Sequence, residues 1–208
     1  MAKLMGGLLG SASGKIAGIV AFTWKNVQAV RAYVKPANPQ TDAQQANRTQ
    51  FKDTAMFALL ILGAVLQEYM DQFIRGMSAY NWFIKTNKDQ FVEAPDFALV
   101  QVTHGTLFSA AITNVSNVAN AVTITFSSAL GSNGLATDKC YACVYVENTG
   151  GMSFAAAEVA RSVGTIGVTL PAGSTGDITA FLVTCRRDVD TEAVTKVGDS
   201  SALSDVIA

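Results

Sequence analysis

Charge, histidine, cysteine and proline are all scarce in this chain. Of its 208 residues only 15% are charged, and there are one histidine, three cysteines and four prolines. The lone histidine, His104, has no partnered serine or cysteine, so neither a Ser-His-Asp nor a Cys-His arrangement can be built around it. It reads as a turn or surface residue. The three sparse cysteines, Cys140, Cys143 and Cys185, exclude a secreted disulfide framework and point to cytoplasmic synthesis. No stretch has the form of a secretory signal, because Gly6, Gly7 and Gly10 interrupt the N-terminal leucines. The longest apolar run, Ala55–Leu66, is too short to cross a bilayer and reads as a buried core or interface helix.

Half of the residues are hydrophobic, enough for a core in one large domain or two small ones. So little charge leaves some apolar surface to be covered by other subunits, and a homo-oligomer is expected. The charge is also lopsided. Residues 1–52 carry seven Lys and Arg against Asp42 alone, a balance of +6 that leaves −7 for the remainder of this −1 chain. A basic front and an acidic rear suit association between neighbours. The basic residues form no run, which weakens the reading of a nucleic-acid arm.

Residues 1–14 are small, apolar and rich in glycine, and read as an arm that orders against a neighbour. Residues 15–35 alternate as two strands, with Trp24-Lys25-Asn26 as the turn of a hairpin. Pro36 and Pro39 end the second strand. Thr41-Asp42-Ala43-Gln44 is a capping box that starts a helix, with Asp42 at its positive end. Phe51, Ala55, Ala58, Leu59 and Leu62 keep helical spacing, and Met56, Phe57 and Leu60 widen the apolar face until burial on most sides is expected. Gly63 predicts a break or kink, followed by helical pieces over 64–75 and from Ser78 to Asn87.

A linker is expected over 88–98. Beyond it the period becomes two, with strands predicted at 98–102, 121–126, 140–147, 165–170 and 178–186. Turn clusters at 131–134, 148–151 and 171–174 separate them. The expected fold is therefore α+β: an N-terminal β-hairpin and helices over 1–90, and an immunoglobulin- or fibronectin-III-like β-sandwich over 98–208.

The chemical candidates are thin. Cys140 and Cys143 form a CxxC, but within a strand positions i and i+3 face opposite ways, so two buried small hydrophobes are preferred to a metal pair. Asp188, Asp190 and Glu192 lack the glycine and spacing of a calcium loop and read as a solvated hairpin end balanced by Arg186 and Arg187. Gly10–Lys15 lacks the spacing of a phosphate loop. No catalytic residue, cofactor site or metal site is predicted. Trp24, Arg31 and Tyr33 could stack on bases, but they are also the residue types that anchor protein interfaces, and an interface is preferred. With Arg48, Phe57 and Leu60 they make up the candidate interface residues.

Several segments resemble a domain family of unknown function associated with phage and prophage regions of Bacteroides-type bacteria. They are Ser13-Gly14-Lys15, Thr23-Trp24-Lys25, Val30-Arg31, Asn38-Pro39-Gln40-Thr41 with Gln44, Arg48 and Phe51, and Tyr80-Asn81 with Phe83. In the second half they are Ala136–Lys139, Ala160–Ser162, Leu170–Ala172 and Gly176-Asp177. The family carries no catalytic assignment. The resemblance implies a non-enzymatic structural protein of a phage virion: a capsid-associated, head-fibre or tail component made in the host cytoplasm. Its expected partners are copies of itself and other virion proteins. The alternative is a bacterial surface or secreted module binding carbohydrate or protein.

Overall fold

The structure, a computed structural model, describes residues 2–3, 14–35, 38, 40–92, 95–118 and 120–207. The glycine-rich 4–13 segment and the corner prolines Pro36 and Pro39 lie outside the described residues. The chain divides into two compact units, residues 1–41 and 42–208.

The first unit is an antiparallel sheet of β1 (Ala2–Lys3), β2 (Gly14–Ile16), β3 (Ile19–Trp24) and β4 (Val27–Ala32), in the order β1-β4-β3-β2. Trp24 pairs with Val27, so the turn holds only Lys25 and Asn26, with φ of 48° and 60°. Two consecutive left-handed residues make the type I′ turn that matches strand twist. The expected first strand is split. Ile16 pairs with Ile19, and the chain turns at Ala17-Gly18, with Ala17 at φ 50°. A meander therefore replaces the simple hairpin. Its core is slight: Ala21 on one face and Ala29 on the other are its buried hydrophobics among the described residues.

The second unit begins with α1 (Asp42–Ile61), where the capping signal predicts it. At Gly63 the helix does not break. It passes into a π-helical stretch, Leu62–Met70, closed by the Asp71 amide donating to the Leu66 carbonyl at 3.1 Å. Thr54, Phe57, Ala58 and Ile61 face inward from α1, and Val65, Leu66, Tyr69 and Met70 continue that face. By length and composition alone Asp42–Met70 could cross a bilayer, a test that the core helix of a globular unit also passes. α2 (Ala79–Asn87) follows, with the Ser78 hydroxyl accepting from the Asn81 amide at 3.3 Å as its N-cap.

The strands are β5 (Ile112–Val118), β6 (Ala121–Phe126), β7 (Lys139–Val146), β8 (Gly151–Phe154), β9 (Val159–Ala160), β10 (Thr165–Thr169), β11 (Gly176–Arg187), β12 (Val194–Val197) and β13 (Ser201–Ile207). They form two antiparallel sheets, β10-β6-β5 and β12-β11-β7-β8, with β13 also on β11 and β9 also on β7. The sheets pack face to face. Val122, Ile124, Phe126, Ile166 and Val168 of the smaller meet Cys140, Ala142, Val144, Ile178, Ala180 and Leu182 of the larger. The opposite side of the larger sheet, with Cys143, Phe181, Val183 and Cys185, packs on the helices through Phe57, Ile61, Leu66, Tyr69 and Phe83. This layering explains why β11 reads as an almost continuous apolar run, since both of its faces are covered.

The unit boundary falls at Thr41, not in the expected 88–98 linker. The apolar face of the helices is buried on the sheet, so the two cannot be separate bodies. The expected strand at 98–102 is also replaced. A short 3-10 turn, Phe97–Leu99, leads into chain held by side chains: the Gln101 amide donates to Asn87 Oδ1 at 2.7 Å, and the Val102 amide to Ser200 Oγ at 2.8 Å. β5, β8, β12 and β13 are further strands that the sequence pattern did not reveal.

Candidate functional site

Burial of α1 is one-sided, contrary to the expectation of cover on most sides. Met56 and Leu59 are 56% and 59% exposed, Phe51 is 53% exposed, and Leu60 is 38% exposed. Met56, Leu59 and Leu60 recur at helical spacing on the side away from Phe57, Ala58 and Ile61, because an α-helix buries one stripe and leaves the other outside.

Where this outer stripe meets the β7–β8 turn, a pocket of about 280 Å³ opens between Met56, Phe57, Leu60, Phe91, Pro95, Phe97, Tyr145 and Gly150, with Asp53 at its edge. Aromatic rings form its floor. Phe57 lies 5.1 Å from Tyr145, 5.5 Å from Phe91 and 5.9 Å from Phe97, and Phe97 lies 4.7 Å from Tyr145. Phe57 also stacks on Phe83 at 5.8 Å and meets Phe181 edge-on at 5.9 Å, which ties this floor into the main core.

The rim is acidic. Burial pushes the Tyr145 hydroxyl above its usual range, and the carboxylates of Glu147 and Asp53 push it further the same way. Glu147 is itself raised, first by partial burial and then by Asp177. A shallow groove of about 930 Å³ continues from the pocket past Asp53, Phe91 and Pro95 to Asp42, Gln45 and Thr49.

The candidate interface residues divide between the two units. Trp24 stands at the turn of the small sheet, 65% exposed, with Lys25 Nζ 5.1 Å from its ring centre. Tyr33 is 43% exposed under Lys15 Nζ at 3.6 Å, and Arg31 lies over Phe22 at 5.8 Å. Arg48 is exposed on the first half of α1. Phe57 is a correction: at 3% exposed it belongs to the core, and only its edge reaches the pocket that Leu60 lines. Asp53, Phe91, Phe97 and Tyr145 were missed. Two are aromatics in a stretch read as linker and one sits on a strand, so only the tertiary fold brings them together.

A second open cleft, of about 800 Å³, is lined by Lys139, Glu158, Arg186, Arg187, Asp188 and Glu192 among others. Its Glu158 carboxylate accepts from the Tyr69 hydroxyl at 2.6 Å and from Arg187 at 2.5 and 2.7 Å. Burial raises the Glu158 carboxyl, but the hydrogen bonds from Arg187 and Tyr69 outweigh it and hold the group below the usual carboxylate range. Arg187 also reaches Glu68 at 2.9 Å. With its oxygens occupied, Glu158 is a tie between the π-helical stretch and β11, and it is poorly placed to take a proton from a ligand.

Arg186 pairs with the buried Asp138 at 2.6 Å. The two arginines are thus engaged by Asp138, Glu158 and Glu68, and Arg187 meets the acidic hairpin end only through the Glu192 carbonyl at 2.7 Å. Within that end, Asp188 Oδ1 accepts from the Asp190 and Thr191 amides, both at 3.0 Å, as a turn cap. His104 is exposed, with Nδ1 2.8 Å from Asp199. Cys140 and Cys143 are buried on opposite faces of β7, and Cys185 is buried as well.

Fold and site together define a three-layer α+β unit carrying an exposed apolar helix face, preceded in sequence by a small basic sheet. Residues 11–202 match a family of unknown function, DUF6266, and the chain belongs to that family. No curated protein and no solved structure matches it.

Proposed function

We propose that this chain is a non-enzymatic structural protein that works by associating with copies of itself, and that its setting is a phage particle. The observation that carries the reading is the outer face of α1. Met56, Leu59 and Leu60 are each more than a third exposed and share one side of the last turns of α1. Scattered exposed hydrophobics are ordinary, but a contiguous group beside an aromatic pocket marks an interaction surface. The phage setting rests on the motif resemblance in both halves of the chain.

The β part reads as a fibronectin-III-like sandwich, and strand order supports this. With β5, β6 and β10 taken as strands A, B and E, and β7, β8, β11 and β13 as C, C′, F and G, the sheets run E-B-A and G-F-C-C′. In this arrangement the helices cover the outer face of the larger sheet. The outer face left open belongs to the smaller sheet and carries Ser116, Thr123, Thr165 and Thr169, all exposed.

Sedimentation and light scattering of the purified chain over a wide concentration range test the reading. Concentration-dependent assembly is expected, and a strict monomer at high concentration overturns it. Mass spectrometry of purified particles tests the setting, where absence of the chain refutes a virion role.

A further inference from the structure

We propose that the Trp24-Lys25 turn of one copy seats in the aromatic pocket of a second copy, with Trp24 as the knob and the Met56–Tyr145 pocket as the hole. This rests on the self-association reading and names its contact. The knob is well made for the purpose. A type I′ turn matches the twist of the strands it joins, and Trp24 beside it is 65% exposed on a sheet whose buried hydrophobics among the described residues are alanines. So thin a sheet gains stability by laying its exposed Ile19, Val27 and Tyr33 against another surface.

The hole is matched in size and chemistry. At about 280 Å³ it lies at the small end of the range of ligand pockets and suits a single large side chain. Phe57, Phe91, Phe97 and Tyr145 offer an indole the ring-to-ring contacts that aromatic side chains favour. Gly150 puts no side chain across the mouth.

Charge fits as well. Residues 1–41 carry Lys3, Lys15, Lys25, Arg31 and Lys35 with no acid, a charge of +5, which leaves −6 for residues 42–208. At the contact itself, Lys25 beside the knob would face Asp53, which lines the pocket. One side chain does not make a stable interface, but the mouth is continuous with exposed Met56 and Leu59 and with the groove carrying Asp42. Knob and hole are different surfaces, so the contact is heterologous. It closes as a ring or a reciprocal pair, or else runs on as a filament, and any of these geometries suits a component of a particle.

The test uses the full chain in three forms: wild type, Trp24→Ala and Met56→Arg. Both substitutions fall on exposed positions, and unchanged circular dichroism and melting verify the folds. Truncating an interface tryptophan of this kind weakens association by about 30-fold. Met56→Arg puts a cation where Lys25 must approach and should weaken it comparably. Each variant keeps the half that the other lacks, so an equimolar mixture should form a one-to-one pair that grows no further. If wild type assembles and both variants assemble equally well, this contact is wrong and self-association stands. If the variants are monomeric but do not pair when mixed, Trp24 seats elsewhere and the proposal fails. A monomeric wild type overturns the contact and the proposed function together.

Discussion

Replacing Phe57 with alanine probes whether helices and sheets in residues 42–208 are one cooperative body. Phe57 is 3% exposed and touches rings from α2, from the 88–98 stretch, from β7 and from β11. Truncating such a ring loses its transfer free energy and leaves a cavity that its neighbours only partly fill, about 4 kcal/mol in total. Against a domain stability of about 5–15 kcal/mol that is a large fraction. For a unit of this size the melting temperature should fall by about 10 °C. Phe57→Leu keeps most of the volume and should cost about 1.5 kcal/mol or less. The assay is urea unfolding followed in parallel by far-UV circular dichroism, which reports the helices, and by near-UV signals from the tyrosines of β7. Both transitions should shift together with an unchanged slope. A cost under about 1.5 kcal/mol for the alanine variant, or a helical transition that moves while the sheet signal stays in place, would refute the shared core.

Four further outcomes are expected. The depressed carboxyl of Glu158 contributes stability that is complete above the ordinary carboxylate value and lost as pH falls through its lower folded value, so an acid limb should begin below about pH 4 and shrink in Glu158→Gln. Tyr69 behaves oppositely: burial, then its hydrogen bond to Glu158, raise its hydroxyl, so stability is lost as pH climbs above about 10, and Tyr69→Phe should abolish that part of the alkaline limb at a cost of about 1 kcal/mol. Burial pushes the Cys140 and Cys143 thiols up to about 11 and about 12, and that of Cys185 higher still, so a thiol reagent should label none of the three until the chain is unfolded. A cysteine that reacts in the native protein at mild pH would contradict the burial. Arg161 is fully buried and donates to the carbonyls of Phe108 at 2.6 Å and Ser109 at 3.2 Å, so Arg161→Lys, which lacks the planar fork, should lower stability by about 2 kcal/mol in chemical denaturation.

Local signals carried part of this protein. The α1 start at Asp42, the helical piece after Ser78, a turn within Trp24-Lys25-Asn26 and the alternation of Val122, Ile124 and Phe126 depend on neighbours within a few residues, and all were legible. The opposite facing of Cys140 and Cys143 follows from the pleat alone. β5 and β13 were not legible, because residues such as Asn114, Ser116 and Ser204 break the apolar alternation and the strands form only through long-range pairing. The split at Ala17 was hidden because alanine carries no turn signal, although Gly18 follows it.

Composition and periodicity by themselves determined an α+β chain with a basic front, an acidic rear and too little charge to cover its apolar surface. They also determined that the second half of α1 would be nearly apolar all round. They could not say which side of α1 is covered, since Phe57 and Leu60 look alike in the sequence. The tertiary structure decided it, because the larger sheet offers one surface and a helix can lay only one stripe on it. That choice buries Phe57 among five rings, and it leaves Met56, Leu59 and Leu60 facing outward.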